Sequence, residues 1–187
     1  MALDSIVWRD IEEFYSLIFE FLFVGGAYFV FREKIILWVK PRSEDLISYL
    51  SLVIFGIFIY RAADWIHVPS PFDLSGSKTV MLLLVLAPIL EELIFRMALW
   101  ESSVAVFNRP KVTIIVTSVL FALGHFLSYW AVPPEYKTFI LYQTVFTFLL
   151  SLVIGMHKLK RVAVSSAIFM HFSFNFGFYV SSHLFSK

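Results

Sequence analysis

The chain has 187 residues, of which 59% are hydrophobic and 16% charged. Soluble domains run at about 45–50% apolar and about 25% charged, so this excess is more than one soluble core requires, and the length is read as a count of membrane spans. A net charge of +1 excludes a basic nucleic-acid surface, and the lack of cysteine excludes disulfides, Cys-ligated metal and a thiol nucleophile.

Residues 1–13, "MALDSIVWRDIEE", are mixed and acidic, without the basic run that opens a removable signal peptide. A lipid-spanning helix needs about 20 mainly apolar residues. Six windows qualify in chain order: 14–31, 46–61 (which is short), 79–100, 112–132, 138–156 and 162–184. Trp8, Trp38, Trp65, Trp100 and Trp130 fall near the proposed ends, where amphipathic rings prefer to sit. The linkers "PRSED", "PSPFDLSGSK" and "VPPEYK" carry turn or breaker residues. The expected fold is all-α, a polytopic membrane protein of about six helices around a polar cavity. Residues 1–78 supply N-terminal helices and loops, and 79–187 the core.

Lys and Arg orient such a chain. The connections after the first, third and fifth windows hold nine, from Arg32 to Arg161, and the opposite side holds five: Arg9, Arg61, Lys78, Lys137 and Lys187. The nine-residue side is expected to be cytoplasmic.

The third window places three charges in six residues, Glu91, Glu92 and Arg96. Each charge at mid-membrane costs about 2.5–3.5 kcal/mol on insertion scales. Glu92 and Arg96, at i,i+4, can pair on one helix face. Glu91 points about 100° further round and has no partner in its own helix. A buried ion pair beside a protonated Glu is the structural alternative. The fourth window offers His125, one turn after Phe121, and the sixth His171 and Asn175 at i,i+4. These groups lie at depths that differ by about one turn, so their polar faces should meet in one layer. Weaker polar positions are Glu20, expected to be structural, and Gln143 and Thr144, expected to join helices. His67, His157 and His183 are expected to be solvated, and most Phe and Met to face lipid.

Two His with carboxylates suit zinc binding, with His125 and His171 as candidate ligands, and equally suit direct activation of water by a Glu with a neighbouring His. Asn175 can donate to an oxyanion. The H-E-x-x-H zinc motif, the G-x-S-G serine motif and the G-x-G-D aspartyl motif are absent from the sequence.

"EELIFR", "FALGH" and "HFSFN" resemble, in order, the E-E-x-x-x-R, F-x-x-x-H and H-x-x-x-N motifs of the CPBP family. This is the family of CAAX proteases and bacteriocin-processing intramembrane proteases, also called Abi, and it includes the type II CAAX prenyl endopeptidases. The resemblance spans about residues 79–180. It implies a helical membrane fold, in a prokaryotic cell membrane, with a cavity opening to the cytosol. It implies that Glu91 and His125 activate water, that His171 and Asn175 complete the site, and that Glu92 and Arg96 hold its geometry. It leaves metal-dependent and glutamate-dependent hydrolysis both open. Met97 departs from the Gly common after the Arg, which bears on local packing. The implied partners are membrane lipid and a peptide or lipidated-peptide substrate, with no nucleic acid. Two other functions compete: a non-catalytic binding or bacteriocin-immunity protein of the same fold, and an ion-coupled transporter, for which the chain looks too small to hold the usual repeats.

Overall fold

The computed structural model describes residues 18, 21–72, 74 and 76–185. Among them every regular element is helical. Helix α1 is Phe21–Phe31 and α2 is Asp45–Trp65. Helix α3 runs over 77–107 and is interrupted by two π-helical stretches, Leu82–Leu86 and Leu93–Ala98. Helix α4 is Pro110–Leu127, α5 is Lys137–Arg161 and α6 is Val164–Phe185. Trp8 and Glu20 lie outside the described residues.

Among the described residues, three segments are long and apolar enough to cross a membrane: Asp45–Trp65, Pro110–Trp130 and Pro134–Arg161. Phe21–Phe31 is a shorter apolar helix. The second window, expected to be short, is thus a full 21 residues, because Arg61, Asp64 and their neighbours continue the helix beyond the apolar run. Arg61 and Asp64 pair across one turn at 2.9 Å.

Helix α6 is the central rod. It packs most extensively on α2, and α4 packs most extensively on α5. Without a hydrophobic drive between helices in lipid, such contacts depend on close approach of small residues. A Cβ at Gly177 would collide with the Val53 carbonyl, and one at Gly56 with the Phe174 carbonyl. These glycines let the α2 and α6 backbones touch. On the other side, Gly155 of α5 admits the Ile114 side chain of α4.

The core joins Leu52 and Ile59 of α2 to Phe139, Phe146, Leu150 and Ile154 of α5 and to Met170, Phe174 and Phe178 of α6. Phe and Met are therefore not only lipid-facing bulk: aromatic residues tile the helix contacts, as in the Phe146–Phe174 and Phe55–Phe174 pairs at 5.7 and 5.5 Å. Met97, the departure from Gly, is buried in α3.

Two further expectations change. Trp38, Trp65 and Trp130 are exposed, but Trp100 is buried, because the helix continues past it to Phe107 and keeps it inside the bundle. His157 is not solvated: its side chain is 10% exposed and its Nε2 lies 3.7 Å from Asp45. Asp45 is in turn held by Arg161 Nε at 2.6 Å and by the Arg42 backbone N–H at 2.9 Å. This cluster ties the start of α2 to the end of α5. His67 and His183 are exposed as expected.

Candidate active site

The site is built on the one α-helical turn of α3 between its two π stretches, Ala87–Glu92. Pro88 explains part of that geometry. It has no N–H to donate and its ring crowds the preceding turn. In the π-helical spacing of Leu82–Leu86, where Ala87 N–H reaches back to the Leu82 carbonyl, the Leu83 carbonyl would look to Pro88 and find no donor. Asn175 Nδ2 of α6 donates to it instead, at 2.8 Å. A buried carbonyl without a partner is costly, so Asn175 both lines the site and seals a break in α3. Short π segments recur at functional sites.

Glu92 and Arg96 are fully buried. Arg96 Nε lies 3.4 Å from Glu92 Oε2, the pairing expected from i,i+4 spacing. Arg96 Nη2 also donates to both the carbonyl and the hydroxyl of Ser151 on α5, at 2.9 and 2.8 Å. Its guanidinium stands 5.7 Å from the Phe121 ring centroid, a cation–π distance. The other oxygen of Glu92, Oε1, is 2.9 Å from His171 Nδ1. A carboxylate paired with an arginine only accepts, so Nδ1 carries the hydrogen and Nε2 is turned to the cavity. There Glu91 Oε2 lies 3.8 Å away. The partner that Glu91 lacks within α3 is thus supplied by α6.

His125 Nδ1 sits 3.0 Å from the Phe121 carbonyl. A carbonyl accepts, so His125 Nδ1 is the donor and Nε2 is left for the cavity. The Phe121 ring is the hub of the layer, with His125 at 4.8 Å, Phe95 at 4.9 Å and His171 at 5.8 Å between centroids.

Glu91, His125, His171 and Asn175 all line one cavity of about 500 Å³. Glu92 and Arg96 do not line it and lie behind His171. Most of the remaining wall is apolar, including Phe72, Leu82, Leu83, Ile140, Phe146, Leu150, Phe174 and Phe178. Gln143 and Thr147 of α5 add polar groups that the motifs do not announce. Gln143, expected to join helices, faces the cavity instead. Thr144 bonds back to the Ile140 carbonyl of its own helix at 2.8 Å. Ser151 is a further residue that lies outside every motif, and one serine among apolar residues of a long helix carries no signal of its own.

As candidate zinc ligands, His125 and His171 reach the same cavity. His171 holds Nδ1 on Glu92 and leaves Nε2 to the cavity, the arrangement in which a histidine can ligate a metal; among the described residues no three His, Asp or Glu side chains converge as metal ligands.

No curated protein and no solved structure matches the chain. Residues 74–177 match the family described as type II CAAX prenyl endopeptidase Rce1-like. That stretch is more than half of the chain and contains the Glu-Glu-Arg triplet, both site histidines and Asn175, and the chain therefore belongs to the Rce1-like family of type II CAAX prenyl endopeptidases.

Proposed function

We propose that the protein is an intramembrane peptidase that hydrolyses a peptide bond of a membrane-anchored or prenylated substrate, with water activated by Glu91 and His125. The observation that carries this reading is the convergence of Glu91, His125, His171 and Asn175, from three helices, on one cavity with a mainly apolar wall. Family membership makes peptide hydrolysis the reaction to which such a cavity is suited.

In the proposed reaction a water between Glu91 and His125 loses a proton to the carboxylate as its oxygen attacks the scissile carbonyl. The carbonyl oxygen becomes an oxyanion that accepts from the second amide hydrogen of Asn175 and from His171 Nε2–H, with His171 in this scheme carrying both ring protons between Glu92 and Glu91. Collapse breaks the C–N bond, and the proton held by Glu91 passes to the departing amine. Glu92 and Arg96 do not touch substrate in this scheme and orient His171 from behind. All six helices lie in a bilayer, as an integral, multi-pass protein of a prokaryotic cell membrane, with lipid around it and the peptide as its partner.

The test is direct cleavage of a prenylated C-terminal peptide by the purified protein in detergent. Cleavage that persists with a chelator, with no zinc found by elemental analysis, supports the water-only route. Loss of cleavage that zinc restores would make His125 and His171 ligands in a rearranged site. Absence of cleavage, with biological activity in a host unaffected by loss of Glu91 and His125, would favour the binding or immunity function.

A further inference from the structure

Helix α5 contributes no catalytic group to the proposed reaction, yet two of its polar residues, Gln143 and Thr147, line the cavity. They stand at i,i+4 and share one helix face. The polar groups beside them are occupied elsewhere. Tyr142 Oη donates to the Ile59 carbonyl of α2 at 2.7 Å, and Thr144 bonds back to the Ile140 carbonyl. Thr147 donates its hydrogen to the Gln143 backbone carbonyl at 2.8 Å, so toward the cavity it can only accept. The Gln143 side-chain amide differs. Among the described residues no hydrogen bond takes it up, and it keeps two donor hydrogens and an acceptor oxygen for an occupant.

Gln143 also stands at the depth of the site. Ile114 near the start of α4 packs on Gly155 late in α5, and the Lys137 ammonium at the start of α5 lies 4.8 Å over the Tyr129 ring just past the end of α4. The two helices therefore run antiparallel. Eleven residues along α4 from Ile114 is His125, and eleven back along α5 from Gly155 is Thr144. Gln143 is one residue further, so its level differs from that of His125 by about 1.5 Å, well under one turn of about 5.4 Å. A peptide drawn from water into an apolar cavity must have its backbone N–H and C=O groups met. A primary amide suits that need, since it accepts from an N–H and donates to a C=O at once. An extended chain advances about 3.3 Å per residue, so a group within one turn of His125 reaches a peptide unit no more than about two residues from the bond held over Glu91 and His125. We infer that Gln143 is a substrate-binding residue, whose side-chain amide takes up backbone N–H and C=O groups beside the scissile bond and so fixes which bond meets the water. The segment it selects is extended or unwound, because in a helix those groups are already paired. The assignment rests on the peptidase reading for the reaction that follows binding.

A change in the protein is paired with a change in the substrate. Gln143→Met and Gln143→Leu keep bulk and remove the amide; thermal unfolding in detergent verifies that they fold, and either one suffices. Prenylated C-terminal peptides are made with single amides flanking the scissile bond replaced by esters, which removes one N–H at a time. With the purified full-length protein, one such ester should lower kcat/KM about tenfold, the scale of a hydrogen bond lost from a buried group. The Gln143 variant should lose about as much with the all-amide peptide and nothing further with that ester, because one contact is lost only once. Losses that multiply for every ester, or a variant that cleaves like the native protein, overturn the inference and leave the peptidase reading intact. Binding of the same peptides, fluorescently labelled, is read in parallel on Glu91→Ala protein. The same non-additivity in binding, with no cleavage by the native protein, keeps Gln143 as a backbone-binding group and removes the peptidase reading. Binding that ignores both the ester and Gln143 overturns the inference, and peptides that are neither bound nor cleaved remove both.

Discussion

Glu91 and His125 share a cavity while neither is needed to hold its helix together. Glu91 has His171 Nε2 of α6 3.8 Å away, and His125 uses one ring nitrogen on the Phe121 carbonyl of its own helix. Glu91→Ala and His125→Ala should each abolish peptide cleavage while the protein stays folded in the membrane. Two groups acting on one water should not lose activity additively, so the double variant should be about as inactive as either single one; multiplied losses would mean separate roles. Arg96 is the contrasting case. It balances Glu92 at 0% exposure, and breaking a buried pair by removing one partner typically costs about 3–5 kcal/mol. Arg96→Ala should therefore lower thermal stability together with activity. A stable but inactive Arg96 variant would assign the arginine to substrate instead. Ser151→Ala removes one of two acceptors and leaves the carbonyl, so its stability loss should be smaller, within the range of about 1.5–3 kcal/mol for a hydrogen bond to a charged group. Which of these groups the sequence displays follows from cost. Charges and histidines are conspicuous in apolar runs because burying them is expensive, and i,i+4 spacing identifies Glu92 and Arg96 as a pair. Ser151 and Gln143 are cheap enough to occur anywhere in such a helix, and only the meeting of α5 with α3 makes them part of the site.

At the scale of the elements, periodicity and length place the helices, though α3 runs on from the expected end at Trp100 to Phe107 and α5 from Met156 to Arg161, and they do not disclose how α3 is wound. Its first π stretch goes with a proline whose missing N–H leaves the Leu83 carbonyl to Asn175, 92 positions further along the chain from Leu83. No local pattern joins the two. The same holds for the α2–α6 contact. Gly56 and Gly177 look like ordinary glycines in apolar runs until the helices cross. Gly177→Ala should then weaken the bundle, since the added carbon meets the Val53 backbone, which cannot swing aside as a side chain would. Gly124→Ala is the matched control: nothing lies within 4 Å of its added carbon. Alanine is better than glycine in a helix by about 0.8–1.0 kcal/mol, so that variant should be neutral or slightly more stable. Thermal unfolding in detergent compares the two. Equal tolerance of both substitutions would mean that α2 and α6 do not cross as closely as described.

Across the whole molecule, apolar side chains face outward along the helices rather than singly. Phe21, Leu22, Phe29 and Val30 of α1 are exposed, as are Ile47, Ile54 and Phe58 of α2 and Leu127 and Val145 of α4 and α5. Soluble monomers rarely expose contiguous apolar patches beyond a few hundred Å², so this surface calls for lipid. One substitution tells a lipid-facing surface from a water-facing one. Ile54 is 67% exposed near the middle of α2, and the helix has the length and composition to span a membrane. In water an exposed Ile→Arg change normally moves stability by no more than about 0.5 kcal/mol. At the centre of a spanning helix the arginine alone costs about 2.5–3.5 kcal/mol, and it has no cavity to turn into. Ile54→Arg should thus sharply reduce the amount of protein recovered in the membrane fraction. Trp65→Arg, at the end of the same helix and 83% exposed, should leave it nearly unchanged, because an arginine there reaches the interface. Quantifying both variants in membrane pellets after an alkaline wash decides the matter: equal recovery of the two would place the exposed face of α2 in water and remove the bilayer from the account of this fold.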